Sequence, residues 1–229
     1  MQEIIKNAIE KGQKALSEYD SKRLVNMAGV PITREGLATS KDKALKIAKD
    51  IGYPLVLKGC SDVVTHKTEM GMVKLGVAND EEVIATFDEI MSKDTKLDGV
   101  LVQEMIKGVR EFVIGLTRDP QFGPCVMFGL GGIFTEVLKD VSFRIAPITE
   151  FDAEEMIDEI KTKKLLDEFR GSPAVDRSVL VKALIGIGDL GMEYDEIAEI
   201  DINPLIIAGN KPVAVDALVI LRSSSDEDS

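Results

Sequence analysis

Five short strand patterns follow one another between residues 99 and 147, each separated from the next by only a few residues. Connections this short join antiparallel strands, because a parallel crossover needs a dozen or more residues. Helical patterns lie on both sides of this run. The chain is therefore predicted to be an α+β (α/β) protein with mixed or antiparallel sheets flanked by helices, not a plain doubly wound sheet.

Caps and breakers indicate where the helices begin and end. Ser40 and Gly52 bound one helix, and Asn79 with Glu82 forms a capping box for a helix over 80–92. Asp20 is predicted to cap a helix that stops at Gly29, and Asp152 with Glu155 to cap another. The strands near 99–105 and 110–117 are expected to pair as a hairpin across a Lys-Gly turn. The remaining predicted elements are helices over 3–16 and 176–190 and strands near 54–58, 72–77, 124–129, 133–138, 142–147, 197–202 and 213–217.

Charge and residue counts exclude several classes of function. The chain has 229 residues and a net charge of −12, which argues against a nucleic-acid-binding face. Its one histidine excludes a metal site with two imidazoles, and its two cysteines form no disulfide framework. No signal-peptide pattern or apolar run of about 18 residues is present. A cytoplasmic protein without a membrane span is expected.

A glycine-rich stretch, Phe128-Gly-Leu-Gly-Gly-Ile-Phe, is the first candidate for phosphate binding. The residues after it favour a strand, so it is not a dinucleotide fingerprint, which leads into a helix. Gly129, Gly131 and Gly132 are predicted to form a turn between strands. Its backbone amides could cover phosphates, and a plain hairpin turn remains the alternative.

Three oxygen-bearing side chains near the C-terminus form a candidate magnesium site. Asp201 and Asn203 share one face of a strand, while Ile200 and Ile202 point into the core. Asp216 is predicted on the neighbouring strand. Mg²⁺ suits such a set because it takes one or two carboxylates and completes its shell with water and phosphate oxygens. A solvated polar face remains the alternative.

The loop of residues 59–71 contains His66, the chain's one histidine. A neutral imidazole offers a nitrogen nucleophile to a phosphoryl group, and a surface histidine is the alternative. Lys58, at the end of a buried strand, could reach a phosphate. Further candidates are residues that could bind ribose or phosphate or could equally form surface charges: Glu104, Glu111, Arg144 and Arg170.

These signals occur in one order along the chain, together with several longer runs. The runs include Thr-His-Lys-Thr-Glu-x-Gly-x-Val-Lys, Met-Phe-Gly-Leu-Gly-Gly-Ile-Phe, Lys-Asp-Val-Ser-Phe-Arg-Ile-Ala-Pro-Ile-Thr and Asp-Ile-Asn-Pro-Leu. In this combination the sequence resembles the ATP-grasp subunit of ADP-forming acetyl-CoA synthetases from about residue 10 to 222. Succinyl-CoA synthetase β subunits look like more distant relatives.

The resemblance implies a role for each candidate. His66 would accept a phosphoryl group from a phosphohistidine of a partner subunit and pass it to ADP. Lys58 would contact phosphate, Glu104 and Glu111 would hold the adenosine part, and Gly131 and Gly132 would close over the phosphates. The metal set of Asp201, Asn203 and Asp216 would hold Mg²⁺. Arg144 and Arg170 are assigned to phosphate without a firmer role.

The resemblance also implies an organisation and a reaction. ATP-grasp subdomains are expected over 20–103 and 104–222. Hydrophobic spacing predicts the N-terminal helix over 1–19, and composition predicts a disordered acidic tail over 223–229. The reaction would be acyl-CoA + ADP + phosphate ⇌ acid + ATP + CoA, with a CoA-binding α subunit as partner in an α2β2 assembly. An ATP-grasp carboxylate-amine ligase and a nucleotide-binding module without turnover are the rival functions.

One position departs from the family pattern. Relatives commonly read Gly-Gly-Val after the histidine loop, whereas this chain reads Gly71-Met72-Val73. Losing a glycine removes access to positive φ and to close backbone approach. The departure is expected to affect the movement of the loop more than its nucleophile.

Overall fold

The computed structural model describes residues 1–61, 71–94, 96–132, 139–168 and 171–222. Along this part of the chain the helices and strands are α1 (Gln2–Glu10), α2 (Glu18–Met27), β1 (Glu35–Ala38), α3 (Lys41–Ile51), β2 (Leu55–Cys60), β3 (Val73–Val77), α4 (Asp80–Lys93), β4 (Gly99–Glu104), β5 (Glu111–Asp119), β6 (Gly123–Leu130), β7 (Val141–Ile145), α5 (Glu150–Glu159), a 3₁₀ turn (Lys163–Leu166), α6 (Arg177–Glu193), β8 (Ile197–Ala208), β9 (Lys211–Ala214) and β10 (Leu218–Leu221).

The chain divides into two compact units. The smaller unit comprises Ser17–Tyr19 and Thr33–Ile106 and contains a four-stranded antiparallel sheet in the order β1-β4-β2-β3. Every residue of β2 is buried, since this strand has a neighbour on both edges and carries α4 against one face. A core of aliphatic residues, Met72 and Phe87 lies between this sheet and helices α3 and α4.

The larger unit comprises Met1–Leu16, Asp20–Ile32 and the chain from Lys107 onward. Its six-stranded antiparallel sheet has the order β10-β8-β5-β6-β7, and β9 pairs with the far end of β8. One face of the sheet packs against α5 and α6. Phe112 and Phe128 stack in the core beneath them, with ring centroids 5.6 Å apart.

The structure confirms two predicted caps and corrects two others. Ser40 accepts a hydrogen bond from Lys43 N, and Asn79 accepts one from Glu82 N. Asp20 is not a cap, because α2 already begins at Glu18. Thr149 caps α5 and bonds reciprocally with Asp152, so the capping box begins three residues earlier than predicted.

The predicted hairpin of strands 99–105 and 110–117 is wrong. β4 pairs with β1 and β2 in the smaller unit, and β5 pairs with β6 and β8 in the larger one. The short connection therefore runs from one sheet to the other. Each strand has two other partners that satisfy its backbone, and Arg110 O accepts a bond from Ile207 N beside the connection.

The expected subdomain bounds differ from the units of the structure. Asp20–Ile32 belongs to the larger unit, because Leu24, Val25 and Val30 are buried in its core. The boundary downstream falls after Ile106 instead of after residue 103. The strand predicted at 133–138 and the tail at 223–229 lie outside the described residues. Among the described helices, none is long and apolar enough to span a membrane.

Candidate functional site

The face of β8 that carries Asp201 and Asn203 is opposite to its core face. Ile200 and Ile202 are buried in the core of the larger unit, as the alternating pattern predicts. Asp216 lies in the connection between β9 and β10, not on a strand. Since β9 and β10 both pair with β8, this connection lies alongside the middle of β8, where Val215 N bonds to Pro204 O at 3.2 Å.

Like charges are crowded around Asp201. Burial, together with the nearby carboxylates of Glu199 and Asp216, raises the pKa of Asp201 to about 6. A bound cation would reverse this effect, because it would favour the ionised carboxylate. Asp201 therefore lies in a negatively charged part of the larger unit.

The oxygen atoms of Asp201, Asn203 and Asp216 are suited to Mg²⁺, which needs few protein ligands, and not to a metal ion whose ligands all come from the protein. No group of three or more His, Cys, Asp or Glu side chains in the described ranges could hold a metal ion by itself. Asp201, Asp216 and the amide oxygen of Asn203 would supply hard oxygen ligands. Mg²⁺ keeps water and phosphate oxygens in its shell and needs few protein ligands, so these residues fit it.

The glycine turn after β6 is held against the same face. Gly132 N donates to Asn203 Oδ1 at 3.2 Å, and Gly131 N donates to Glu111 O at 2.9 Å. Gly132 has φ +68°, and a Cβ at this position would overlap the Glu111 carboxylate. The turn thus brings together Glu111, Gly132 and Asn203, three residues that the sequence analysis placed in separate motifs.

In the smaller unit, Lys58 forms a buried ion pair with Glu18. Its Nζ lies 2.7 Å from Glu18 Oε1, and the two side chains are 9% and 2% exposed. Sequence reasoning missed Glu18. A signal was available, because Glu18, Ser21 and Lys22 fall on the helix stripe that also carries buried Val25. Charged residues at core-facing positions indicate a specific partner.

Glu104 is bound by Arg34 at the end of β4. Arg34 donates to its carboxylate from the backbone N at 2.7 Å and from Nε at 3.0 Å. The Arg34 side chain is largely exposed, whereas that of Glu104 is mostly covered. Glu104 is thus held in a defined orientation within the smaller unit.

The remaining predicted residues are placed differently. Arg144 pairs with Glu159 and Glu155 of α5, and the hydrogen bond that it donates to Glu159 is the main reason that its pKa is raised. Arg144 thus forms surface ion pairs, which was the alternative to phosphate binding. Binding of phosphate by Arg144 stays a prediction. His66 and Arg170 lie outside the described residues.

Met72, which departs from the family pattern, is a core residue. Its side chain is fully buried, and its backbone O accepts a bond from Gly59 N at 2.9 Å. Gly71 has φ +65°, but Met72 is not in the positive-φ region. A side chain is therefore accommodated here without the strain that the loss of a glycine suggested.

Comparison with known proteins identifies the family of this chain. The family model of the ATP-grasp domain matches residues 7–221. The chain is 43% identical over 225 residues to the β subunit of ADP-forming acetate–CoA ligase I from Pyrococcus furiosus. The aligned region covers 96% of this chain and 97% of that relative. It is more distantly similar to the β subunit of ADP-forming succinate–CoA ligase from Natronomonas pharaonis, at 30% identity over 93% of this chain and 56% of that one.

A solved structure has the same fold. Acetyl-coenzyme A synthetase 1 of Ca. Korarchaeum cryptofilum, in complex with coenzyme A and Mg-AMPPCP, matches with a TM-score of 0.85 and 44% identity over 96% of this chain and 99% of that chain. In that structure the phosphohistidine segment points towards the nucleotide-binding site. This chain therefore belongs to the ATP-grasp family, in the group that contains the β subunits of ADP-forming acetate–CoA ligases.

Proposed function

We propose that this chain is the nucleotide-binding β subunit of a two-component ADP-forming acyl-CoA synthetase, acetate being the acid of the 43% identical relative from Pyrococcus furiosus. It transfers a phosphoryl group between His66 and ADP or ATP within the reaction acyl-CoA + ADP + phosphate ⇌ acid + ATP + CoA. The observation that carries the proposal is the 43% identity to a β subunit over almost the full length of both chains.

The described residues support the nucleotide half of this reaction. Asp201, Asn203 and Asp216 would hold Mg²⁺, which neutralises phosphate charge when bound. Lys58 would contact a phosphate oxygen, and the Gly131–Gly132 turn would pack over the phosphates. The carboxylates of Glu104 and Glu111 would accept hydrogen bonds from the adenosine hydroxyls.

The transfer step balances without a further reactant. In the direction of ATP synthesis, a β-phosphate oxygen of ADP attacks the phosphorus of phospho-His66. The P–N bond breaks, a P–O bond forms, and the electron pair returns to the imidazole nitrogen. Positioning and charge neutralisation dominate catalysis of such a step, which is the work assigned to Lys58 and the metal ligands.

The rest of the reaction needs a partner. The chemistry of CoA and the acid would take place on an α subunit, whose own phosphohistidine would exchange the phosphoryl group with His66. An α2β2 assembly in the cytoplasm is part of this proposal. The choice of acid would be made mainly by the α subunit.

A labelling experiment tests the proposal. The chain is incubated with its α subunit, Mg²⁺ and γ-³²P-ATP, and the two subunits are separated under alkaline conditions. We expect acid-labile, base-stable label on this chain. Because it contains a single histidine, His66→Asn should abolish the label while leaving ATP binding intact, and label that survives this substitution contradicts the assignment.

The same experiment separates the two rivals. ATP consumption that requires an amine acceptor, with no label on the wild-type chain, would identify a carboxylate-amine ligase. ATP binding without label or turnover would identify a nucleotide-binding module.

A further inference from the structure

The buried ion pair of Glu18 and Lys58 includes a residue with a proposed role in nucleotide binding. One partner, Lys58, is the residue that would contact nucleotide phosphate. This inference therefore rests on the proposed function. We propose that Glu18 is a positioning residue for phosphoryl transfer, which holds the Lys58 ammonium in place and gives up part of this contact to the incoming phosphate.

The backbone of Lys58 is fixed. It lies on β2, a strand with a neighbour on both edges, opposite Leu101 of β4 and Val73 of β3. Adjustment of the amine is therefore confined to its side chain. Lysine has a flexible four-carbon stem, so a second group is needed to define where the ammonium lies.

Glu18 supplies that group. Its carboxylate lies 2.7 Å from Lys58 Nζ, the short distance of a charge-assisted hydrogen bond. It stands in the first turn of α2, where the positive end of the helix dipole favours a negative charge. The acid is thus held by its own helix and directs the amine.

Charge balance explains why the pair can open. Burying an ammonium without a counter-charge is costly, and the Glu18 carboxylate provides a counter-charge at 2.7 Å. A phosphate oxygen carries the same kind of charge and can replace it. An ammonium has three N–H donors, so a carboxylate and a phosphate can also be bound together during the exchange.

The inference predicts opposite changes in binding and turnover. If Glu18 becomes neutral, a carboxylate that competes with phosphate for Lys58 is removed, so the nucleotide binds more tightly. The ammonium is then positioned less well for transfer, so kcat falls. A merely structural Glu18 would instead weaken binding as the site loosened.

The test uses the complete α/β enzyme with Mg²⁺. Glu18→Gln is compared with wild type by calorimetric titration of ATP and by steady-state kinetics. We expect ATP to bind about 3- to 10-fold more tightly, because the anion no longer competes with a carboxylate. We expect kcat to fall about 10- to 100-fold, the loss that follows from a misplaced catalytic group.

Two further variants complete the design. Glu18→Asp keeps the charge and shortens the side chain, so it should lower kcat with ATP affinity unchanged, which also covers the case in which Glu18→Gln does not fold. Asp88→Asn is the matched control, because Asp88 pairs with Lys41 at 3.0 Å in the same unit but at the exposed surface. It should alter neither quantity.

The outcomes distinguish this inference from the proposed function. Weaker ATP binding by Glu18→Gln, or a kcat equal to that of wild type in both Glu18 variants, overturns the role of Glu18. If the wild-type chain shows no phosphohistidine, the proposed function fails. The ATP titrations then still decide whether Glu18 competes with phosphate for Lys58.

Discussion

The two units hold their charged site residues in opposite electrostatic states. In the smaller unit, Lys58 is buried with Glu18 at 2.7 Å, and Glu104 is bound twice by Arg34. In the larger unit, the carboxyl group of Asp201 lies near two other acids, and its pKa is raised to about 6. The first set is paired with charges of opposite sign, whereas in the second set burial and neighbouring like charges raise the pKa of a carboxyl group.

This difference predicts how ligand binding would change the stability of each unit. A preformed ion pair needs no ligand for stability, so binding must compete with an existing contact. Crowded acids lower stability until a cation arrives, so binding relieves a repulsion. Metal and nucleotide should therefore stabilise the larger unit more than the smaller one.

The largest effect is expected from breaking the buried pair. Lys58→Met removes a buried counter-charge of the Glu18 carboxylate, and about 3–5 kcal/mol of unfolding free energy should be lost. Adding Glu18→Gln to this variant should restore most of that loss, because the double variant removes both charges of the pair. Urea unfolding of the single and double variants measures both changes, and simple additivity would show that the pair is not coupled.

A smaller effect is expected at the glycine turn. Gly132→Ala places a Cβ at φ +68° and against the Glu111 carboxylate, which must move aside, so about 1–2 kcal/mol should be lost, and nucleotide affinity with it. Gly209→Ala is the control, because Gly209 has φ +66° with no atom within 4 Å of the added Cβ. It should cost about 1 kcal/mol and leave nucleotide affinity unchanged. Equal losses in both variants would mean that Glu111 moves away without cost.

The smallest effect concerns the pH dependence of the acidic site. The folded-state pKa of Asp201 is raised from 3.8 to about 6. The unfolded chain therefore loses this proton first as the pH rises from about 4 to 6, and the contribution of Asp201 to stability falls over that range. Above pH 6 the ionised group continues to destabilise the folded chain.

Asp201→Asn should remove this penalty. Without metal, the variant should be more stable than wild type by about 1 kcal/mol at pH 7.5. This value is smaller than the pKa shift alone would give, because the Asp201 side chain is partly solvated. At pH 4 the variant should be no more stable than wild type. Mg²⁺ with ATP should reverse the order. Thermal unfolding at the two pH values measures the change, and a variant that is less stable than wild type at pH 7.5 without metal would contradict the crowding of acids.

Asp140 provides the matched control in the same unit. Burial opposes its ionisation, but hydrogen bonds from Thr162 Oγ1 and from the amides of Lys161 and Thr162 outweigh burial and lower its pKa. Its charge therefore stabilises the folded chain above the unfolded pKa, and this contribution is lost as the pH falls. Asp140→Asn should destabilise at pH 7.5, the opposite of the expected effect of Asp201→Asn.

Local patterns predicted much of the fold. The Ser40 and Asn79 caps and the inward-facing Ile200 and Ile202 depend on neighbours in sequence, and the structure has them as predicted. The pairing of β4 with β5 failed because strand partners are chosen by sheets assembled from distant segments. The placement of residues 20–32 differed for the same reason, since the core contacts of α2 lie far along the chain.

By itself, the sequence determined the fold class, the family and the residue types available for nucleotide chemistry, because these are written in local periodicity and in the order of short motifs. Only the tertiary structure decided the electrostatic state of those residues. It placed Glu18 on Lys58 across 40 positions of the chain, and it brought Asn203 to Gly132 across 71. The pKa of a charged group and the energy of its interactions depend on its burial and on its neighbours in space. The spacing of residues along the chain does not specify either of these.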